Sequence, residues 1–109
     1  MTKTVKYVDV ILPLPIPGSF TYLTAIDLDL NIGQRVVVQF RSRKLYTAIV
    51  IKIHNKKPKE YDAKDILAIL DEKPIINEKQ LQFWFWIAEY YMCNLGDVMN
   101  AALPSSFKL

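Results

Sequence analysis

The sequence predicts an α+β domain: a small strand-rich half, barrel-like or a sandwich, over about residues 1–72, followed by a helical segment over about 75–104. Three observations predict it. Runs rich in Val, Ile, Tyr and Thr, bounded by turn residues, fill the first part of the chain. After Asn77 the apolar spacing changes to threes and fours. And 109 residues that are 51% hydrophobic, with only 3 glycines, are enough for one core and too apolar for disorder.

The first strand runs from Val5 to Leu12. Pro13, Pro15 and Pro17 then alternate, which restricts φ and predicts a stiff polyproline-like connector ending at Gly18. Such a segment would fix the entry of a second strand, Phe20 to Thr24. Gln34 to Phe40 and Lys44 to His54 form the next two strands, with Arg41-Ser42-Arg43 as the turn between them. In the longer of these, Leu45, Thr47, Ile49, Ile51 and Ile53 share one face, while Tyr46, Ala48 and Val50 share the other. Apolar residues on both faces place that strand across the core. A short strand, Asp65 to Leu70, follows a lysine-rich loop.

Asn77 followed by Gln80 three residues on, with Ile76 and Leu81 flanking, is a capping-box and hydrophobic-staple pattern that starts a helix from about Glu78 to Met92. Leu81, Trp84, Phe85, Ala88, Tyr91 and Met92, widened by Phe83, Ile87 and Tyr90, predict a broad core-facing side. A second helix is expected from Leu95 or Gly96 to Ala102, ended by Pro104.

Charge is unevenly spread. Arg35 to Lys64 holds nine Lys or Arg against Glu60 and Asp62, a local +7 in a chain whose net charge is +3. That asymmetry is what a polyanion partner would require, although taken alone it reads equally as solvated loops. Catalytic patterns do not emerge. The chain has a single histidine, His54, expected to be an exposed polar residue, and a single cysteine, Cys93, expected to be reduced and packed. No Walker A spacing is present. The longest apolar stretch, Leu81 to Met92, is broken by Gln82 and Glu89 and falls short of the roughly 20 residues of a membrane span. With no leader-like start, a cytoplasmic location is expected.

Two separated segments carry a resemblance. They are Leu12-Pro13-Leu14-Pro15-Ile16-Pro17-Gly18-Ser19-Phe20-Thr21-Tyr22, and Ile87-Ala88-Glu89-Tyr90-Tyr91 through Leu95-Gly96-Asp97-Val98 to Ala102-Leu103-Pro104, with Gly33 to Phe40 and Leu70 to Pro74 between them in order. Together they resemble the N-terminal domain of the PriA family of primosomal replication-restart helicases. The resemblance covers roughly Val8 to Pro104. It implies a DNA-binding domain, part of a longer helicase, that captures the 3′ end of the nascent leading strand at a stalled, branched fork. It further implies other primosome proteins and the helicase's own domains as partners, no membrane, and ATP and zinc as cofactors of the parent but none in this part.

Residue by residue, Phe20 matches the family aromatic that stacks on the terminal base, and Lys64 the lysine beside the terminal nucleotide. Thr21 stands where many members carry Asp to accept a bond from the 3′-hydroxyl. A neutral hydroxyl can still accept, without the charge-assisted part. Arg41 stands where the family usually has glycine, and with Arg43 and Lys44 it adds cationic reach toward phosphate. The expected DNA-binding residues are therefore Phe20, Thr21, Arg41, Lys64, Arg43 and Lys44. Two other readings stay open: a docking module acting through the aromatic helix, and a single-strand binder indifferent to ends.

Overall fold

Seven elements follow in the order the residues suggest: β1 Val5–Ile11, β2 Phe20–Ala25, β3 Arg35–Phe40, β4 Lys44–His54, β5 Ala68–Ile69, α1 Glu78–Tyr90 and α2 Leu95–Ala102. The structure, a computed structural model, describes residues 5–16, 18–25, 30–41, 44–56, 58, 63–71 and 73–103. Arg43, Pro17 and Pro104 lie outside the described residues.

The strands form one antiparallel sheet in the order β2-β1-β4-β3-β5. One segment draws its two edges together. Lys64 O accepts from Leu23 N of β2 at 2.8 Å, and Ile66 N donates back to Leu23 O at 3.0 Å. Immediately after, Leu67 N donates to Val37 O at 2.8 Å and β5 pairs with β3. The sheet therefore rolls toward a barrel instead of splitting into a sandwich, and edge groups that would otherwise lie bare are satisfied. Only Ala68 and Ile69 of the expected strand Asp65 to Leu70 pair as a strand, because the preceding residues bridge to β2 instead.

Alternation fills the interior with Val8, Val10, Leu12, Tyr22, Val36, Val38, Ala48 and Val50, all buried. Ile11 and Ile49 point the other way, into a second cluster with Ile76, Leu81, Trp84, Ala88, Val98 and Met99 of the helical half. A β-bulge interrupts the alternation of β4. Asp9 faces Lys52 while Val10 faces Val50, so Ile51 is an extra residue with no partner of its own on β1. Beyond it the faces exchange: Ile53, expected beside Ile49 and Ile51, packs on the barrel interior instead.

The proline segment also departs from its expected form. Leu14 N donates to Leu12 O and Ile16 N to Leu14 O, each at 2.8 Å, the i+2→i bonds of consecutive γ-turns. A polyproline helix has no internal hydrogen bonds. Proline's fixed φ suits the centre of an inverse γ-turn, and α2 packs closely on the result: a Cβ on Gly96 would sit 2.1 Å from Leu14 O and 2.3 Å from Leu12 O.

The capping box forms at the start of α1, with Gln80 N donating to Asn77 Oδ1 at 2.8 Å and Asn77 N to Gln80 Oε1 at 2.9 Å. At its end Cys93 N donates to Ala88 O and Met92 N to Glu89 O, with Met92 at φ 55, which is a Schellman cap. This turn carries Met92 and Cys93 outward, so Cys93 is an exposed thiol and not a packed one. The aromatics were expected mostly in the core, yet only Leu81, Trp84 and Ala88 of α1 are buried. Phe83, Phe85, Trp86, Tyr90 and Tyr91 are exposed, because one stripe of a 13-residue helix suffices to cover Ile11 and Ile49. Among the described residues no helix is long and apolar enough to cross a membrane.

Candidate nucleic-acid interface

At one end of the barrel, where β2 begins and β3 ends, the seam between the two strands opens into a cavity of about 290 Å³. Phe20, the first residue of β2, and Phe40, the last of β3, meet there with ring centroids 4.8 Å apart and planes tilted by 59°. Tyr46 abuts Phe40 edge-on at 6.3 Å. Tyr22, two residues after Phe20 and so on the same face, is buried and donates its hydroxyl to Gln39 O at 2.9 Å. The wall is thus mainly aromatic, a surface on which a planar ring can stack.

Cations sit at the rim. The charged residues lining the cavity are Arg41 and Lys64, both exposed. The Arg41 guanidinium lies 5.1 Å from the centre of the Phe40 ring, a cation–π contact that holds it over the opening. Arg41 has φ 53, the left-handed region that glycine enters without cost, and its carbonyl accepts from Lys44 N at 2.9 Å to close the turn. Lys64 is placed through its backbone, by the bond to Leu23 that seals the sheet.

Of the six expected residues, Phe20, Thr21, Arg41 and Lys64 all line this one cavity. Lys44 is exposed opposite Phe40 in the register but is not among the lining residues, and Arg43 lies outside the described residues. Reading the sequence missed Tyr22, Gln39 and Phe40. The alternation that sets Phe20 inward could have pointed to Tyr22, whereas Phe40 depends on which strands flank the seam.

Thr21 carries a second, unexpected set of contacts. It faces Asp9 across the β1–β2 pair, and its hydroxyl donates to Asp9 Oδ1 at 2.7 Å. The same Oδ1 lies 2.8 Å from His54 Nε2, while His54 Nδ1 accepts from Lys56 N at 3.0 Å. His54 is therefore part-buried and engaged, with a side chain 19% exposed, and not the free polar residue expected at a strand end. A polar residue between Val8 and Val10 was the available signal for Asp9.

Arg35 belongs to the basic segment by count but not by availability. It forms a two-point ion pair with Asp71, Nε to Oδ2 at 2.9 Å and Nη2 to Oδ1 at 2.7 Å. The guanidinium holds the Asp71 carboxyl below the usual carboxylate range through that hydrogen bond, against the opposing effect of burial. Among the described residues no group of three His, Cys, Asp or Glu side chains is placed to hold a metal ion.

Residues 9–104 match the PriA family described as the 3′DNA-binding domain (3′BD). The chain is 39% identical over 100 residues to the replication restart protein PriA of Haemophilus influenzae, covering 91% of the chain and 14% of that protein. It is 35% identical over 98 residues to PriA of Rickettsia prowazekii, covering 87% of the chain and 14% of that relative. To PriA of Treponema pallidum it is 26% identical over 105 residues, covering 91% of the chain and 16% of the relative. The chain therefore spans about one seventh of the length of these curated relatives.

Proposed function

The chain belongs to the PriA 3′DNA-binding domain family, and from that premise we propose that it captures the free 3′ end of the nascent leading strand at a stalled, branched replication fork. The observation that carries this reading is convergence. Phe20 with Thr21, Arg41, and Lys64, from three separated stretches of the sequence, line a single cavity. At about 290 Å³ that cavity lies at the small end of ligand pockets, a size suited to one terminal nucleotide and not to a continuous strand.

Each part of a terminal nucleotide then has a counterpart. The base stacks on Phe20, a contact worth roughly 1–3 kcal/mol that is open to every base. The 3′-hydroxyl, which can donate, meets Thr21. The flanking phosphate meets Lys64 and Arg41, while Lys44 extends the cations along the incoming backbone and Arg43 adds charge to the same stretch of sequence. Recognition of this kind depends on an end and scarcely on sequence.

The full-length protein is on this reading an ATP-dependent 3′–5′ DNA helicase of replication restart, working in the cytoplasm with other primosome proteins. Nucleotide hydrolysis and zinc binding belong to its remaining length. The test is fluorescence anisotropy with short single-stranded and forked DNA bearing a free 3′-hydroxyl, a 3′-phosphate or a buried 3′ end. Preference for the free hydroxyl is expected; equal binding to all three would reduce the domain to a general single-strand binder.

One observation favours an additional docking role toward the parent helicase domains. Phe83, Trp86 and Tyr90 stack in series along α1, with centroids 6.0 and 5.1 Å apart, and remain exposed. The helix has no basic residue in its last turn to accompany them toward DNA. Salt separates the two surfaces, since phosphate contacts weaken steeply with ionic strength and apolar docking does not.

A further inference from the structure

We infer that Arg41 forms a second subsite, for the base next to the 3′ end, with its guanidinium stacked between Phe40 and that base; the inference rests on the end-capture reading above. Phe40 closes β3, and its ring is already engaged by three neighbours. Phe20 lies at 4.8 Å, Tyr46 edge-on at 6.3 Å, and the Arg41 guanidinium over the ring at 5.1 Å. Arg41 is exposed, so on this side of the mouth the arginine, and not Phe40, is the surface offered outward.

The chemistry of that surface suits a base. A guanidinium is planar and weakly hydrated, and it stacks by its faces on aromatic rings and on nucleobases alike. Its N–H donors lie in the plane, so a stacked arginine keeps them for a phosphate. One side chain can therefore serve both the second base and the phosphate that joins it to the first.

The layout directs a strand to it. Further in, the seam is closed: the Tyr22 hydroxyl bonds to Gln39 O at 2.9 Å, and Leu23 exchanges backbone bonds with Lys64 and Ile66. A strand whose last base lies on Phe20 must therefore leave past the end of β3, where Arg41 is the next residue. Its backbone is held there, because its carbonyl accepts from Lys44 N at 2.9 Å. The φ of 53 is costly for an L residue, and strain kept at a ligand-sized opening points to a task for the side chain that bears it.

The experiment measures affinity of the chain and of Arg41→Lys for one single-stranded oligonucleotide with a free 3′-hydroxyl, intact or with an abasic site at the first, second or third position from that end. Lysine keeps the charge and the backbone strain but removes the plane, and at an exposed turn it leaves the fold in place. For the parent chain, loss of the second base is expected to weaken binding roughly 3–10-fold, the range of a cation–π stack. In Arg41→Lys that penalty is expected to disappear, while the penalty for the first base and the salt dependence stay as they were. A parent chain indifferent to the second base, or an equal second-base penalty in Arg41→Lys, overturns the inference and leaves end capture intact, since the first base reports on that separately. A parent chain that responds equally to all three positions, or to none, overturns both.

Discussion

Arg35, the first residue of β3, and Asp71, just past β5, form a three-point clasp: the guanidinium meets both carboxylate oxygens at 2.7 and 2.9 Å, and Arg35 N adds a third bond to Oδ2 at 3.1 Å. Gln34 Nε2 donates to Asp71 O at 2.6 Å beside them. These contacts pin the start of β3 to the chain leaving β5, and so hold the segment that carries Lys64 against the seam.

The clasp has a pH signature. The folded carboxyl of Asp71 titrates below its unfolded value, so its contribution is complete above the unfolded pKa and is lost as pH falls through the folded one. Acid unfolding should therefore steepen below about pH 4, the ordinary range of an unpaired Asp. Asp71→Asn is expected to cost about 1–3 kcal/mol at neutral pH and to flatten that acid limb. Urea denaturation of both proteins at pH 7 and pH 3 measures it; equal losses at both would remove the ion pair as the cause.

Arg41 combines two opposing properties in one residue. Its φ of 53 is strained for an L residue by roughly 1 kcal/mol, while its guanidinium covers Phe40 at the cavity mouth. Arg41→Gly should raise stability by about 1 kcal/mol and lower DNA affinity, with the salt slope reduced by about one phosphate contact. Thermal unfolding and anisotropy across a salt series give the two readings, and a variant that loses both stability and affinity would contradict the trade.

Much of this was legible in local pattern, and the remainder shows where local pattern stops. The capping box at Asn77 and Gln80 could be read directly because both partners lie within one turn. The strand runs could be read because β-branched residues alternate along them. The bulge at Ile51 could not, since an extra residue leaves composition unchanged and alters only which strand face Ile53 joins. Exposure of Trp86 and Tyr90 could not either: apolar spacing says which faces are capable of burial, not how much core there is to cover. For the cavity, Phe20 and Lys64 were reached through resemblance. Asp9 and Phe40 required the strand order, because their partners lie across pairings that no short window contains.

Gly96, the glycine of the helical half, is predicted to tolerate no side chain. The carbonyls of Leu12 and Leu14 approach it so closely that a methyl group would sit within 2.3 Å of both. Neither atom can yield, because each carbonyl accepts a bond within the γ-turns. Gly96→Ala should therefore destabilise by about 1–3 kcal/mol or more, typical of forced overpacking. Because those turns set the entry of β2, a loss of end binding should accompany it even at temperatures where the variant is folded. Circular dichroism melts paired with anisotropy would show both, and a neutral substitution would mean that α2 does not press on the proline segment.

On the proposed end-capture reading, Phe20 and Lys64 separate the two halves of nucleotide recognition. Removing the ring by Phe20→Ala should weaken binding to every terminal base by roughly 1–3 kcal/mol and leave the salt slope as it was. Removing the ammonium by Lys64→Ala should lower affinity less at high salt than at low, with the slope of log K against log salt falling by about 0.7–0.9, the value of one phosphate contact. Lys64 is exposed and its place in the sheet is held by its backbone carbonyl, so this substitution should leave stability nearly untouched. Titrations of both variants at several salt concentrations decide the assignment: a changed slope in Phe20→Ala or an unchanged one in Lys64→Ala would exchange or remove the roles given to them.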